Sequence, residues 1–146
     1  MTRRLQRDAP LWDAYRRAEY VVDTGLPLVI RIGSRSARRD RLVATFGQRE
    51  WAFITAWNPG SKVLTTRANH ARHARLLARL DEEGLTWLSG RGHDPAGKWD
   101  AEESVFVIGC SPERAQAIGA AFGQNAVVIG STGTAAKLAD CSRASV

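Results

Sequence analysis

Lysine is scarce in this chain: Lys62, Lys98 and Lys137 are the only three, against eighteen arginines. Cysteine is scarcer, and Cys110 and Cys141 lack the spacing of a disulfide framework or a metal site. That usage suits a reducing cytoplasm, where the protein is expected to reside. No apolar run approaches the roughly 20 residues that a membrane-spanning helix requires, so no membrane role is expected. Met1–Asp8 carries arginines with no apolar stretch behind them, which argues against a signal peptide. His70, His73 and His93 are the only histidines and show no HExxH spacing, so no metal site is expected. Neither a P-loop nor a dinucleotide fingerprint is present, so no nucleotide cofactor is expected. Ser34, Ser61 and Ser104 lack the surroundings of a nucleophile elbow.

What is present fits an ordinary folded domain. The 146 residues are 44% hydrophobic and 25% charged, with five tryptophans and four phenylalanines to fill a core. Residues 1–130 read as a single domain and 131–146, small and polar, as a loose tail. The net charge is +6 and the pI about 10.1. Arginines cluster at Arg3, Arg4 and Arg7, at Arg35, Arg38, Arg39 and Arg41, and at Arg67, Arg72, Arg75 and Arg79. Arginine without lysine, among many alanines, reads first as the codon bias of a GC-rich genome and second as a polyanion-binding surface.

Periodicity and punctuation divide the chain into elements in the order αββαβαββαβ, an α/β arrangement with an α+β tendency and a mixed sheet with helices packed on it. Asp8–Arg17 reads as a helix with Pro10 tolerated in its first turn. Strands follow at Glu19–Asp23 and Leu28–Gly33. Ser36 caps a helix over Ala37–Phe46, and Trp51–Trp57 is an apolar strand. Ala68–Glu83 is a helix with His73, Leu76, Leu77 and Leu80 on one stripe. Leu85–Leu88 is a short strand before a loop over Ser89–Lys98. A strand at Glu103–Gly109, a helix from the Ser111-Pro112 start to Phe122 and a strand at Asn125–Ile129 complete the set.

The abrupt end of the Trp51–Trp57 strand at Asn58-Pro59 is the most informative feature. Strand end, tight turn and helix start are where α/β proteins place ligands, because free backbone N–H groups converge there. Asn58, Ser61 and Asn69 meet near that helix start and can orient a small polar or anionic ligand. Trp57 and Trp99 can form walls. Trp99-Asp-Ala-Glu-Glu-Ser104 brings acids to the start of a strand, and Glu103 is the candidate acid or base, with Ser104 beside it. Alternation sends Glu103 and Val105 to one face and Glu102 and Ser104 to the other, so one acid alone faces any pocket. Gln124 and Asn125 open the last strand, where their amides reach a ligand or complete a turn.

Taken in order, several segments carry a resemblance. They are Phe53-Ile-Thr-Ala-Trp-Asn-Pro59 with Ser61 and Asn69, the helix with Leu76, Leu77 and Leu80, and a Gly-Xaa-Asp-Pro-Xaa-Gly loop before Trp99. Glu102-Glu103-Ser104 and Phe122-Gly-Gln-Asn-Ala126 complete the set. Together they resemble a small bacterial family catalogued as a domain of unknown function, number 3293, over roughly residues 15 to 130. The resemblance implies one cytoplasmic α/β domain and names no activity. Asn58, Asn69, Glu103, Ser104 and Gln124 fall on the family's pattern; the arginine clusters and the tail do not.

The leading expectation is a domain that binds, and can act on, a small polar or anionic ligand at the Asn58 strand end. One alternative is a nucleic-acid module using Arg38, Arg39, Arg41, Arg72, Arg75 and Arg79, although no exposed aromatics stand among them to stack bases. Phe46, the one aromatic in those segments, is expected to be a core residue. Another alternative is a non-enzymatic interaction or regulatory domain, including self-association through its acidic and arginine-rich surfaces.

Overall fold

The computed structural model describes residues 9–141. The Arg3, Arg4 and Arg7 cluster, the first residue of the expected Asp8–Arg17 helix and the last five residues of the expected tail lie outside the described residues. Helix α1 (Ala9–Arg17) leads into a hairpin of β1 (Glu19–Val22) and β2 (Leu28–Ile30). Helix α2 (Ala37–Thr45), strand β3 (Glu50–Thr55), a 3-10 turn (Pro59–Ser61) and α3 (Thr66–Glu82) follow. Then come β4 (Thr86–His93), β5 (Glu102–Ile108), α4 (Pro112–Ala121), β6 (Ala126–Ser131) and β7 (Lys137–Asp140).

Local chemistry explains the helix starts. Ser36 Oγ accepts from the Arg39 N–H at 3.0 Å, Thr65 Oγ1 from Ala68 at 3.1 Å and Ser111 Oγ from Arg114 at 3.2 Å. Each satisfies one of the N–H groups that a helix leaves without an internal partner. Capped by Thr65, α3 begins at Thr66, two residues before the expected Ala68.

The seven strands form one sheet in the order β2-β1-β4-β5-β3-β6-β7. All six neighbouring pairs are antiparallel, so the sheet is not mixed in direction. No helix serves as a parallel crossover; the domain is α+β.

The register sorts the side chains onto two faces. On one, Leu76 and Leu80 of α3 and Ala115 and Ile118 of α4 close over Ile54, Val105, Val107 and Val127. Leu76, Leu80 and Ile118 are fully buried, each contributing about 1.5–3 kcal/mol by leaving water. On the other face, Val43 of α2 joins Trp51, Phe53, Phe106, Ile108 and Val128. Arg39 docks α2 here. Its guanidinium lies 4.6 Å from the centre of the Trp51 ring and donates to the carbonyls of Ser34 and Thr134.

Two segments depart from expectation. Ser89–His93, expected as loop, is the second half of β4. Gly90 and Gly92 point inward while Ser89, Arg91 and His93 are exposed. A Cβ on Gly90 would stand 2.5 Å from the Val21 carbonyl and 2.9 Å from the Phe53 ring. The glycines there admit a close neighbour and do not break the strand. Residues 131–141 are likewise no loose tail: β7 pairs with β6 from Ala126↔Asp140 to Ile129↔Lys137 and buries Ala139. Among the described residues no helix is long and apolar enough to cross a membrane.

Candidate functional site

The face carrying Phe53 is covered by α2 at one end only. At the other end α1 spans it, leaving a cavity of about 250 Å³. Leu11, Ala14 and Tyr15 of α1, with Ala18 just after it, form the roof. Phe53, Thr55, Ser104, Val128 and Leu138 form the sheet floor. Trp57, Asn58, Ser61 and Val63 make one wall, and Tyr20, Gly92, Trp99 and Glu102 another. No residue of α1 is buried, and polar contacts tie the helix down. The hydroxyls of Tyr15 and Ser61 lie 3.0 Å apart, Asn125 Nδ2 donates to Tyr15 at 3.2 Å, and the Tyr20 phenol donates to the Tyr15 carbonyl at 2.6 Å.

The wall at Asn58 is a closed network. Asn58 adopts a left-handed conformation, φ 46 and ψ 62, which asparagine tolerates better than most residues. Its N–H donates to Asn69 Oδ1 at 2.9 Å. Its own Oδ1 accepts from Asn69 Nδ2 at 2.8 Å and from the Leu64 N–H at 3.0 Å. Its Nδ2 donates to Glu102 Oε2 at 2.7 Å. Asn69 is 2% exposed and does not line the cavity; it stands behind Asn58 and fixes it. Gln124 Nε2 donates to the carbonyls of Trp57 and Phe122, bracing the same wall from the far side. The Asp94 carboxylate accepts from the Ala96 and Lys98 N–H groups, curling the loop that delivers Trp99 over Gly92.

Of the expected site residues, Trp57, Asn58, Ser61, Trp99, Ser104 and Gln124 line the cavity. Glu103 does not. It lies on the opposite face of β5, with Oε1 2.6 Å from His70 Nδ1 and Oε2 3.9 Å from His73 Nε2. Glu102 occupies the place expected for it. The strand period decides this: Glu102, Ser104 and Phe106 share a face, whereas Glu103 follows Val105 and Val107. An expectation of Glu103 beside Ser104 joined residues of opposite faces. The Phe106 parity, visible in the sequence, was the signal that selects Glu102. Tyr15, Tyr20 and Phe53 went unnamed because their meeting depends on strand order.

Among the described residues Glu102 is the sole charged one of the lining. Burial pushes its pKa above the ordinary carboxyl value, and the Asn58 hydrogen bond offsets part of that rise. Among the described residues no donor reaches its Oε1. Tyr20 is raised too, chiefly by burial, with Tyr15 and Glu102 adding to the rise. On the far face burial lowers the pKa of His73, opposed by Glu103 and assisted by His70. Among the described residues no group of three or more His, Cys, Asp or Glu side chains is placed to hold a metal ion.

Several arginines of the nucleic-acid alternative are engaged inside the fold. Arg39 is buried on Trp51, and Arg72 donates to the carbonyls of Ala56 and Phe122. Arg38 donates to the carbonyls of Pro27 and Leu26, and Arg79 pairs with Glu83 at 2.5 Å. Arg41 and Arg75 remain exposed, and so does Phe46 at 42%, which follows the last turn of α2 and is not the core residue expected.

No curated protein and no solved structure matches the chain. A family model described as a protein of unknown function (DUF3293) matches residues 54–127, about half of the chain. That span holds Asn58, Asn69, Glu102 and Gln124 but neither the α1 roof nor β7, and is narrower than the segment over which the sequence carries the resemblance. By that match the chain belongs to the DUF3293 family.

Proposed function

We propose that this domain binds a small organic molecule in the cavity beneath α1, with Glu102 as its polar anchor. The observation that carries the reading is a carboxylate, single in the lining and with one oxygen unpartnered among the described residues, set in a largely apolar cavity of about 250 Å³. A few convergent polar groups in an apolar concavity are the usual make-up of a ligand site. An engineered apolar cavity of about 150 Å³ accommodates benzene, so this one suits a body of roughly ten non-hydrogen atoms. If the domain is catalytic, Glu102 is its acid or base, because burial brings its pKa toward the working range.

The anion expected at the start of α3 finds little there to hold it. Thr65 caps the helix, and the Leu64 and Asn58 N–H groups are engaged by the asparagine pair. A reducing cytoplasm is the setting we assign, since Cys110 and Cys141 are free and buried in the core.

A thermal-shift screen with neutral and charged fragments of this size tests the reading. Fragments that stabilise the protein should lose their effect in Ala14→Trp, which fills the cavity from its roof. Equal shifts in both proteins, or none in either, would remove the proposal.

A further inference from the structure

We propose that the ligand is an organic cation: a protonated amine on a flat or aliphatic body, its ammonium directed at Glu102. This rests on the binding role just proposed and names its chemical class. Charge is the first argument. Among the described residues the lining holds one carboxylate and no arginine, lysine or histidine, so none of them neutralises it.

Hydrogen-bond polarity is the second and independent argument. A hydroxyl has one proton to give, and the floor hydroxyls give theirs inward. Tyr20 donates to the Tyr15 carbonyl, Thr55 to the Glu103 carbonyl at 2.7 Å and Ser104 to the Glu102 carbonyl at 3.0 Å. Gln124 Nε2 is directed at two carbonyls, and Asn58 Nδ2 at Glu102. The indole N–H of Trp57 has no partner, but it is sealed from accessible surface. The floor groups leave lone pairs toward the cavity, together with Glu102 Oε1, while the Trp99 indole N–H and one proton of the Tyr15–Ser61 hydroxyl pair find no acceptor among the described residues and stay available as donors. A ligand that donates to the floor and to Glu102 fits this pattern.

The aromatic content is the third argument. Tyr15, Tyr20, Phe53, Trp57 and Trp99 all line the cavity. Ring faces attract cations, most strongly where water is excluded.

The test compares 2-phenylethylamine, 2-phenylethanol and phenylacetate, three probes of nearly equal size, by calorimetric titration at pH 7. The wild-type protein should bind the amine at least about tenfold more tightly than the alcohol, one charge-assisted contact's worth, and phenylacetate more weakly than either. Glu102→Gln, which keeps an acceptor for Asn58, should bind amine and alcohol alike. Phenylacetate binding as tightly as the amine would overturn the proposal, as would an amine preference that survives Glu102→Gln. Alcohol bound as well as amine by the wild type, and lost in Ala14→Trp, would refute the cation while keeping the cavity. No binding of any probe would remove both. The wild-type amine-to-alcohol ratio decides the matter even if Glu102→Gln fails to fold.

Discussion

Replacing Asn58 by alanine should damage the fold more than a wall residue of a binding site would. The side chain serves the Leu64 N–H, the buried Asn69 amide and the Glu102 carboxyl. Each of the first two bonds contributes about 1 kcal/mol, and the bond to Glu102 about 1.5 kcal/mol. Alanine at φ 46 adds about 1 kcal/mol of backbone cost. The total is about 4.5 kcal/mol, a large share of the roughly 5–15 kcal/mol that holds a domain together. At this chain length that amounts to a fall of about 14 °C in Tm. Asn58→Gly accepts the left-handed backbone and should recover about 1 kcal/mol of it. Urea unfolding at pH 7, followed by tryptophan fluorescence, measures both variants against the wild type. An Asn58→Ala loss under about 1.5 kcal/mol would refute the network account, since one ordinary hydrogen bond could explain it. A glycine variant less stable than the alanine variant would refute the backbone part.

Two further outcomes follow from the same contacts. Burial raises the Glu102 pKa in the folded state, so the stability it contributes is complete below the ordinary value of 4.5 and is lost as pH rises through the raised value. Glu102→Gln cannot ionise; its stability relative to the wild type should therefore improve between pH 4 and pH 8 in thermal melts, and a pH-independent difference would contradict the shift. Arg72→Met removes charge-assisted bonds to the carbonyls of Ala56 and Phe122 and should cost about 3 kcal/mol in urea unfolding. A near-neutral result would show that water replaces the guanidinium at both carbonyls.

Much of the fold was legible because local chemistry set it. Ser36 and Ser111 cap the helices they were expected to cap, and the apolar runs after Glu50 and Ser104 are the central strands. What escaped were segments whose state depends on distant partners. Gly90 is a strand residue because Phe53 lies across it, and Lys137–Asp140 is a strand because β6 offers an edge. A four-residue Lys-Leu-Ala-Asp segment has too little alternation to declare itself.

The site divides in the same way. Asn58 and Asn69 were expected to meet, and they do, but their amides bond to each other and to Glu102, 44 residues away from Asn58. No local pattern encodes that third partner. The choice between Glu102 and Glu103, in contrast, needed only the parity of Phe106.

The boundaries of the family match bear on any attempt to isolate a minimal fragment. Residues 54–127 begin at Ile54, inside β3, and end at Val127, inside β6. Cutting the gene at those points would sever both strands. It would discard Trp51, Phe53 and Val128 and leave the β3–β6 register partners, from Glu50↔Ser131 to Phe53↔Val128, outside the product. Such a peptide keeps the carboxylate but has no roof over it. It would also present cut strands with unsatisfied backbone groups, the usual invitation to aggregation. The recognisable segment and the foldable unit are different lengths of this chain.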